Sequence, residues 1–408
     1  IFFEDIDLSL DGGVYAELVR NRSFEDVDPK NMKTPAAGLG FWQRVGAAKL
    51  TLDKSHPFSA INCQCGKVEA EACGGVANAG YFGISVKAGA KYRLSVALCG
   101  AVKGPIAVTL EADGKPAVGE VRINAAEIGP NWRTHKLEFT ATGTEPQARL
   151  VFRALQGGTF YLDCVSLFPE ETYGKTGLFR KDLMERLAAL KPAFVRFPGG
   201  SWVNGHTLET GYLWKTTIGP IWERKSQWNI WGYTTTHAVG FHEYLLLCEE
   251  LKAKPLFCCY CGVDCNMRAI PMDKMGPYVQ DVLDAMGVRR CELAGWEADD
   301  LLGTLSRRGA EAGVECVVVT GDKDSLQLIG DKVRVLHVKS RMGQTETIMY
   351  TPEVFTAEYG FEPKKMVDLK ALMGDSSDNI PGVPGIGEKT AMSLIQTYGS
   401  IDSIYSDL

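Results

Sequence analysis

At 408 residues, with 45% apolar and 23% charged side chains, the chain has the composition of a soluble globular protein and is longer than a single growing core serves. Two or three domains are therefore expected, and no apolar run reaches the roughly 18 residues of a membrane span, which argues against a membrane protein. The formal net charge of -6 weighs against a nucleic-acid binder for the chain as a whole, although averaging over unlike domains hides a basic face.

The first residues, IFFEDIDLSLDGG, carry neither Met nor a signal-like segment, and the chain is expected to start inside a gene. Within 1-30 a short apolar run followed by GGVYAELVRNRSFED reads as a strand, a turn and a helix. From about 31 to 170 the pattern has period two: Tyr92, Leu94, Val96 and Leu98 alternate with polar or small neighbours, as do Ile106, Val108 and Leu110. Short strands between turn signals predict a β-sandwich. At Gly177 the period becomes helical, with Phe179, Leu183, Leu187 and Leu190 on one face, ended by Lys191-Pro192. The strand AFVRF, Pro198-Gly199-Gly200, a long loop, a helix with Phe241, Leu245 and Cys248, and the strand PLFCCYC follow. This is βα alternation.

The 12 cysteines show no paired zinc spacing, and a chain of this length needs no disulfide staples, so a reducing cytosol is favoured. In CCYCGVDC, Cys258 to Cys265, the thiols read as small hydrophobes of a strand, with metal binding as the alternative. Next, VQDVLDAMGVRR, Val279 to Arg290, reads as an amphipathic helix running into a strand. A helix around WEADDLLGTLSRR, the strands ECVVVTGDKD and VRVLHV, and helices near Thr351-Pro352 and Pro363 complete the chain, with Gly399 capping the last long helix. No repeat and no low-complexity linker separates these unlike halves.

Five of the eight tryptophans, Trp202, Trp214, Trp222, Trp228 and Trp231, follow AFVRF. A loop at the C-terminal end of a barrel strand is where such folds build active sites, and flat rings with a polar edge suit the CH face of a sugar. Packing of the loop on itself is the alternative. The blocks FFEDI, DGGVYAELVRNRSFE, LDCVSLFPEETY, GLFRKDLMERLAALKPAFVRFPGGSWVNG, WKTTIGP and GFHEYLLLCEEL together resemble glycoside hydrolase family 51, the α-L-arabinofuranosidases, over about 1-285. The resemblance implies a barrel whose first strand precedes an inserted carbohydrate-binding-like sandwich, and an arabinofuranosyl saccharide as ligand. It implies that Glu4 contacts the sugar, that Ser201, where Asn or Cys is usual, helps to line the pocket, and that Trp202 is a further sugar-binding residue; a structural role is the alternative for Glu4 and Ser201. A retaining glycosidase of this kind needs two carboxylates about 5 Å apart. In the family both lie on later strands, one in an Asn-Glu motif, and no such motif follows Gly262. About three of eight barrel strands are present, so hydrolysis is not expected.

The second half gathers acids at element ends. Glu297, Asp299 and Asp300 start a helix, Asp322 and Asp324 follow the strand CVVVT, and Asp375 and Asp378 precede the glycine-rich IPGVPGIGEKTA. Hard oxygen donors so placed suit Mg²⁺ or Mn²⁺, a pair of which clamps a phosphodiester; a solvated acidic face is the alternative. Gly382, Gly385 and Gly387 permit tight turns that leave N-H groups at a helix start for a phosphate, with Lys389 adding charge; a plain turn is the alternative. The stretches GWEADDLLGTL, VVVTGDKDSLQLI and VDLKALMGDSSDNIPGVPGIGEKTA resemble the 5'-3' exonuclease (flap endonuclease) domain of bacterial DNA polymerase I over about 286-408. The resemblance implies that Glu297, Asp299, Asp300, Asp322, Asp324, Asp375 and Asp378 are metal-site acids. It also implies a helix-hairpin-helix over about 367-400 that grips double-stranded or flapped DNA, with K⁺ on its backbone carbonyls, and a cytoplasmic parent. The family's first strand with its Asp, a second Asp and the basic arch would precede the matched region and have no counterpart, so cleavage is expected to be impaired or absent.

The expected architecture is multidomain: a partial (β/α) barrel over 1-30 and 171-285, an inserted β-sandwich over 31-170, and a partial α/β 5'-nuclease domain over 286-408. The pattern MGPYVQDVLDA of the first family and VLDAMGV of the second share Val282-Leu283-Asp284-Ala285, which places a seam at about Asp281 to Gly287. A chimera of two gene fragments follows, with few specific contacts between its halves. The alternative is a genuine two-part protein retaining only sugar binding or structure-selective DNA binding.

Overall fold

Alternation of apolar and polar residues works out as two antiparallel sheets facing one core. The structure is a computed structural model that describes residues 1-27, 38-341, 344-376 and 379-407; residues 31-37 of the expected sandwich lie outside them. The strands are β1 (Trp42–Val45), β2 (Ala48–Asp53), β3 (Cys65–Ala70), β4 (Gly74–Asn78), β5 (Ile84–Val86), β6 (Lys91–Val102), β7 (Ile106–Glu111), β8 (Gly119–Ile123), β9 (Arg133–Thr140), β10 (Glu145–Ala154) and β11 (Gly158–Pro169). One sheet runs β1-β4-β10-β7-β8 with β5 beside β10, the other β2-β3-β11-β6-β9. Tyr92, Leu94, Val96 and Leu98 of β6 and Ile106, Val108 and Leu110 of β7 enter a shared core with Val76, Phe152 and Phe160. Side chains that alternate across a pleat bury one face when two such sheets meet.

The chain divides into two compact units, Ile1–Val288 and Arg289–Leu408. In the first unit, the helix expected in GGVYAELVRNRSFED does not form. Its backbone groups are engaged elsewhere: Ala16 N-H donates to Leu178 O, Leu18 N-H to Leu167 O, and Val165 N-H to Arg22 O. Glu17 fixes this extended course, accepting from the N-H groups of Val19 and Leu167, the Ser166 hydroxyl and Arg22. Burial raises the Glu17 carboxyl and Arg22 opposes the shift, so four donors offset the cost of a buried acid.

The remainder of this unit contains α1 (Lys181–Ala189), β12 (Phe194–Phe197), α2 (Ser201–Asn204), the short pair β13 (Gln227–Trp228) and β14 (Thr234–Thr235), α3 (Phe241–Leu251), β15 (Lys254–Phe257) and α4 (Gly276–Ala285). Strand β12 pairs in parallel with β15, and Phe2 bridges Arg196 on the other side of β12, also in parallel. The helices cover one face, where Val195 and Phe197 join Tyr244 and Leu247. The other face leaves Phe2, Phe194 and Leu256 about half exposed, and no closed barrel exists among the described residues. Two expected apolar faces shift: Leu190 lies beyond α1 and is exposed, and Leu245 is exposed while Tyr244, Leu247, Cys248 and Leu251 turn inward. Strand β15 ends at Phe257, so Cys258, Cys259 and Cys261 are loop residues, half-buried or exposed, and not strand hydrophobes.

Helix α4 begins with Pro277 in its first turn and has no buried side chain. Trp214 Nε1 donates to Asp281 O at 3.0 Å, and Lys215 pairs with Asp281 at 2.8 Å and with Asp284. The strand expected after Gly287 does not form; 287-297 has neither helix nor strand.

The second unit is built from α5 (Ala298–Glu311), β16 (Cys316–Thr320), β17 (Val333–Arg341), β18 (Gln344–Tyr350), α6 (Pro352–Tyr359), α7 (Met366–Met373), α8 (Glu388–Tyr398) and α9 (Ile401–Ser406). Strand β16 is parallel to β17, and β18 returns antiparallel. Thr351 caps α6, its hydroxyl accepting from Val354 N-H, and Pro352 occupies the first turn, where a missing N-H costs nothing. Gly399, at φ 80°, ends α8 as expected. Val318, Val335, Leu326, Phe355, Leu369 and Ile395 form the core.

Candidate functional site

Glu4 lies two residues after Phe2, whose single bridge to Arg196 sets it beside β12; it is half-buried, and its Oε1 accepts from Trp202 N-H at 2.7 Å. Gly199 explains the Pro-Gly-Gly stretch: at φ +131° a Cβ there would lie 2.5 Å from Glu4 Cγ. Ser201 opens α2, and its carbonyl accepts from Gly205 N-H and Cys265 Sγ. Trp202 is 1% exposed, stacked on His237 and edge-on to Tyr212. Its ring is core, which corrects the expectation of an open sugar platform; what it presents to Glu4 is its backbone donor. Trp214 and Trp228 are half-buried and Trp222 and Trp231 exposed. Trp222 lies edge-on to Phe58, and its carbonyl accepts from Ser59 Oγ and Asn62 Nδ2, so this part of the loop docks on the two-sheet domain.

Beneath Glu4 is a polar group that the sequence pattern did not single out. Asp5 is 1% exposed; burial and then neighbouring Asp11 push its carboxyl up to about 8. The Tyr233 hydroxyl donates to Asp5 O at 2.7 Å and Oδ1 at 3.1 Å, and Asn229 Nδ2 to Asp5 O. Burial, with Arg224 adding to it, lowers His237 to about 3, so this imidazole is neutral. Arg224 is held by both Glu243 oxygens at 2.8 Å and by Gly219 O, which ties the long loop to the start of α3. The signal in the sequence was the Glu-Asp pair of FFEDI; the partners of Asp5 are too distant in the chain to be foreseen.

In the second unit, Glu297 caps α5 and its N-H donates to Asp300 Oδ2 at 3.1 Å. Asp322 and Asp324 lie in the turn after β16, where Asp324 N-H donates to Asp322 Oδ1 and His337 Nε2-H to Gly321 O. Burial, followed by Asp322, Asp324, Glu297 and Asp300, raises the Asp299 carboxyl, so the acids of α5 and of the β16 turn share one field. Asp375 exchanges backbone hydrogen bonds with Ile380. Asp378 lies outside the described residues. The donor chemistry suits a hard divalent ion, yet among the described residues no three His, Cys, Asp or Glu side chains are placed to hold one. The cation at hand is Lys370, 2.6 Å from Asp324 Oδ1 and paired with Asp375.

Between α7 and α8 the hairpin requires its glycines. A Cβ on Gly382 would lie 2.3 Å from the Met373 carbonyl carbon, and Gly385 has φ +85°. Gly387 precedes α8 with no side-chain cap, and Lys389 is exposed in the first turn. The first N-H groups of α8 have no partner within the helix, which makes its start receptive to an anion.

Residues 186-289 match the family model of the alpha-L-arabinofuranosidase 1 domain. Residues 271-360 match the N-terminal resolvase-like domain of the 5'-3' exonuclease, and 361-408 its C-terminal SAM fold. An extracellular exo-alpha-L-arabinofuranosidase of Streptomyces chartreusis is 38% identical over 274 residues, covering 63% of this chain and 31% of the relative. DNA polymerase I of Bacillus subtilis (strain 168) is 45% identical over 132 residues, 32% of this chain and 15% of the relative. The solved arabinose-bound MgGH51 α-L-arabinofuranosidase superposes with TM-score 0.64 at 26% identity, over 75% of this chain and 50% of that one. The chain therefore has an arabinofuranosidase-like part and a 5'-3' exonuclease-like part, and spans half or less of each of these relatives.

Proposed function

We propose that the chain is a join of two unrelated gene fragments, a glycoside hydrolase family 51 part and a 5'-3' exonuclease part, and that neither part completes a catalytic cycle. One observation carries this reading: the two family matches overlap over 271-289, and the boundary between the compact units, after Val288, falls within the overlap. Helix α4 has no fully buried side chain, so packing constrains its sequence little and it can carry both patterns.

In the first part, we read residues 1-3, whose Phe2 bridges β12, together with β12 and β15 as the start of a (β/α) barrel, and the two antiparallel sheets as its inserted, carbohydrate-binding-like sandwich. Glu4, oriented by Trp202 N-H, and Ser201 at the start of α2 would meet an arabinofuranosyl unit. The hydrolase pattern gives way before an Asn-Glu motif, and the chain contains no Asn-Glu dipeptide, so the paired carboxylates of glycoside hydrolysis are not assembled. In the second part, the α8 start with Gly382, Gly385, Gly387 and Lys389 would follow a double-stranded or flapped DNA backbone without reading bases, and K⁺ would sit on the hairpin carbonyls. The acids Glu297, Asp299, Asp300, Asp322, Asp324, Asp375 and Asp378 would be the Mg²⁺ or Mn²⁺ ligands, but their described arrangement does not close a shell, and no step is derived through a metal. The exonuclease-like part is expected to have come from a cytoplasmic protein.

The deciding experiment is long-read sequencing of source DNA across the codons for Asp281 to Gly287. Absence of any single molecule spanning them is expected; an unbroken molecule in independent samples would overturn the join. The purified chain should release no arabinose from an aryl arabinofuranoside and should bind flap DNA with little cleavage, binding that weakens as salt rises. Turnover of either substrate would restore a genuine two-part enzyme.

A further inference from the structure

Thr235, the second residue of β14, is 3% exposed, and its Oγ1 is buried with no hydrogen-bond partner in the protein. A hydroxyl so placed has given up its bonds to bulk water and received nothing in return. It lines a small cavity within the first unit together with Asp5, Asp11, His237, Trp202 and Tyr212. The centre of a water molecule has about 10 Å³ to occupy there, close to the room that one molecule needs.

The neighbours of Thr235 decide what fits this space. Burial and then Asp11 push Asp5 up to about 8, so at neutral pH it is an uncharged carboxyl that donates as well as accepts. Burial and then Arg224 lower His237 to about 3, which leaves an uncharged imidazole with one donor and one acceptor. Asp11 Oδ2 already accepts from Thr236 N-H at 2.8 Å and Thr236 Oγ1 at 2.7 Å, and Asp11 lies in the field of the Arg22 guanidinium. The cavity therefore offers hydrogen-bonding groups of both senses, and its one charged wall residue is already answered. A neutral guest that both donates and accepts suits it better than a cation.

We propose that this cavity is a binding site for a single internal water, which pairs with Thr235 Oγ1 and links β14 to Asp5. The site lies beside the residues read as meeting a sugar and is independent of that reading. It adds a third tie to the two that the same loop makes through Tyr233 and Asn229, both of which donate to Asp5 O. A bridging water is nearly as good a partner as a direct hydrogen bond, so it satisfies the Thr235 hydroxyl without any change in the fold.

The test uses the full chain and magnetic relaxation dispersion, which counts long-lived internal waters. Thr235→Val keeps the shape of the side chain and removes the hydroxyl. It is expected to lose one such water and to melt lower than the parent, because the bridge is gone and Asp5 loses a partner. An unpartnered hydroxyl predicts the opposite sign, since its replacement by a methyl group is neutral or stabilising. Either an unchanged water count or a melting temperature at or above that of the parent overturns the proposal. Thr235→Ser keeps the hydroxyl and should keep the water; loss of the water there as well would assign it to packing around the methyl group and overturn the role of Oγ1. If Thr235→Val does not fold, crystals of the parent chain grown in rubidium chloride decide the matter. Ordinary water density within hydrogen-bond distance of Thr235 Oγ1 supports the site, while an anomalous rubidium signal there, or no density, overturns it.

Discussion

The two-sheet domain and the parallel segments beside it differ in how completely they use their apolar residues. In the former, strands from both sheets meet, and Val76, Phe152, Val108, Leu98 and Phe160 are all fully buried. In the latter, β12 and β15 bury one face under α1 and α3, while Phe2, Phe194 and Leu256 on the other remain 47–48% exposed. The second unit repeats the contrast: Val318 is buried, yet Val317 and Val319 are 50% and 60% exposed. A sheet closes its core only when something lies on each of its apolar faces. The two-sheet domain supplies both layers itself, whereas the α/β parts each have one.

Core truncation gives the largest test of that difference. Phe152 packs against Trp42, and the Phe152 carbonyl leaves no room for a Cβ on Gly75. Phe152→Ala is expected to cost about 3–5 kcal/mol, while Phe194→Ala, on the uncovered face, should cost under about 1 kcal/mol. Urea unfolding of the full chain followed by tryptophan fluorescence reads both. Similar losses would mean that the outer face of β12 is packed, and the contrast would fail.

A smaller effect concerns pH and falls on the parallel segments. Asp5 titrates at about 8 in the folded chain because burial and Asp11 oppose its charge, against about 3.9 unfolded. Between these values the unfolded chain has released a proton that the folded chain keeps. The unfolded state therefore binds fewer protons, and stability falls as pH rises from about 4 to 8, then levels off. Asp5→Asn keeps an acceptor for Tyr233 and removes this share of the slope. Melting temperatures at pH 5 and pH 8 should converge in the variant; an unchanged gap would assign the slope to other buried acids such as Glu17, which burial also raises.

What the sequence revealed follows the same division. The period-two runs of β6 and β7 placed their buried residues correctly because both sheets are complete and alternation has one meaning there. In α3 the inward stripe runs through Tyr244, Leu247, Cys248 and Leu251, and taking Leu245 as a member rotated the helix by one residue. The non-helical course of residues 15-24 was hidden because Glu17 looks like an ordinary surface charge until β11 and Arg22 supply its partners. The acids of the second unit were visible as motifs at element ends. Lys370 was not, since an isolated lysine on an amphipathic helix has no signature until the fold brings Asp324 to it.

The mildest test isolates an uncovered face. Val317 and Val319 flank buried Val318 on β16, a strand that pairs with β17 alone among the described residues. Replacing both with Thr keeps the β-branch that suits an extended backbone and adds a hydroxyl that water can satisfy. If that face is open, the double variant should unfold within about 0.5 kcal/mol of the parent. It should also aggregate less, because an exposed apolar strand with a free edge is a template for another chain. Urea midpoints and light scattering on warming measure the two consequences separately. A stability loss of 2 kcal/mol or more, roughly the cost of burying unpaired hydroxyls, would mean that the valines are covered in solution, and the second unit would then join the two-sheet domain on the closed side of the comparison.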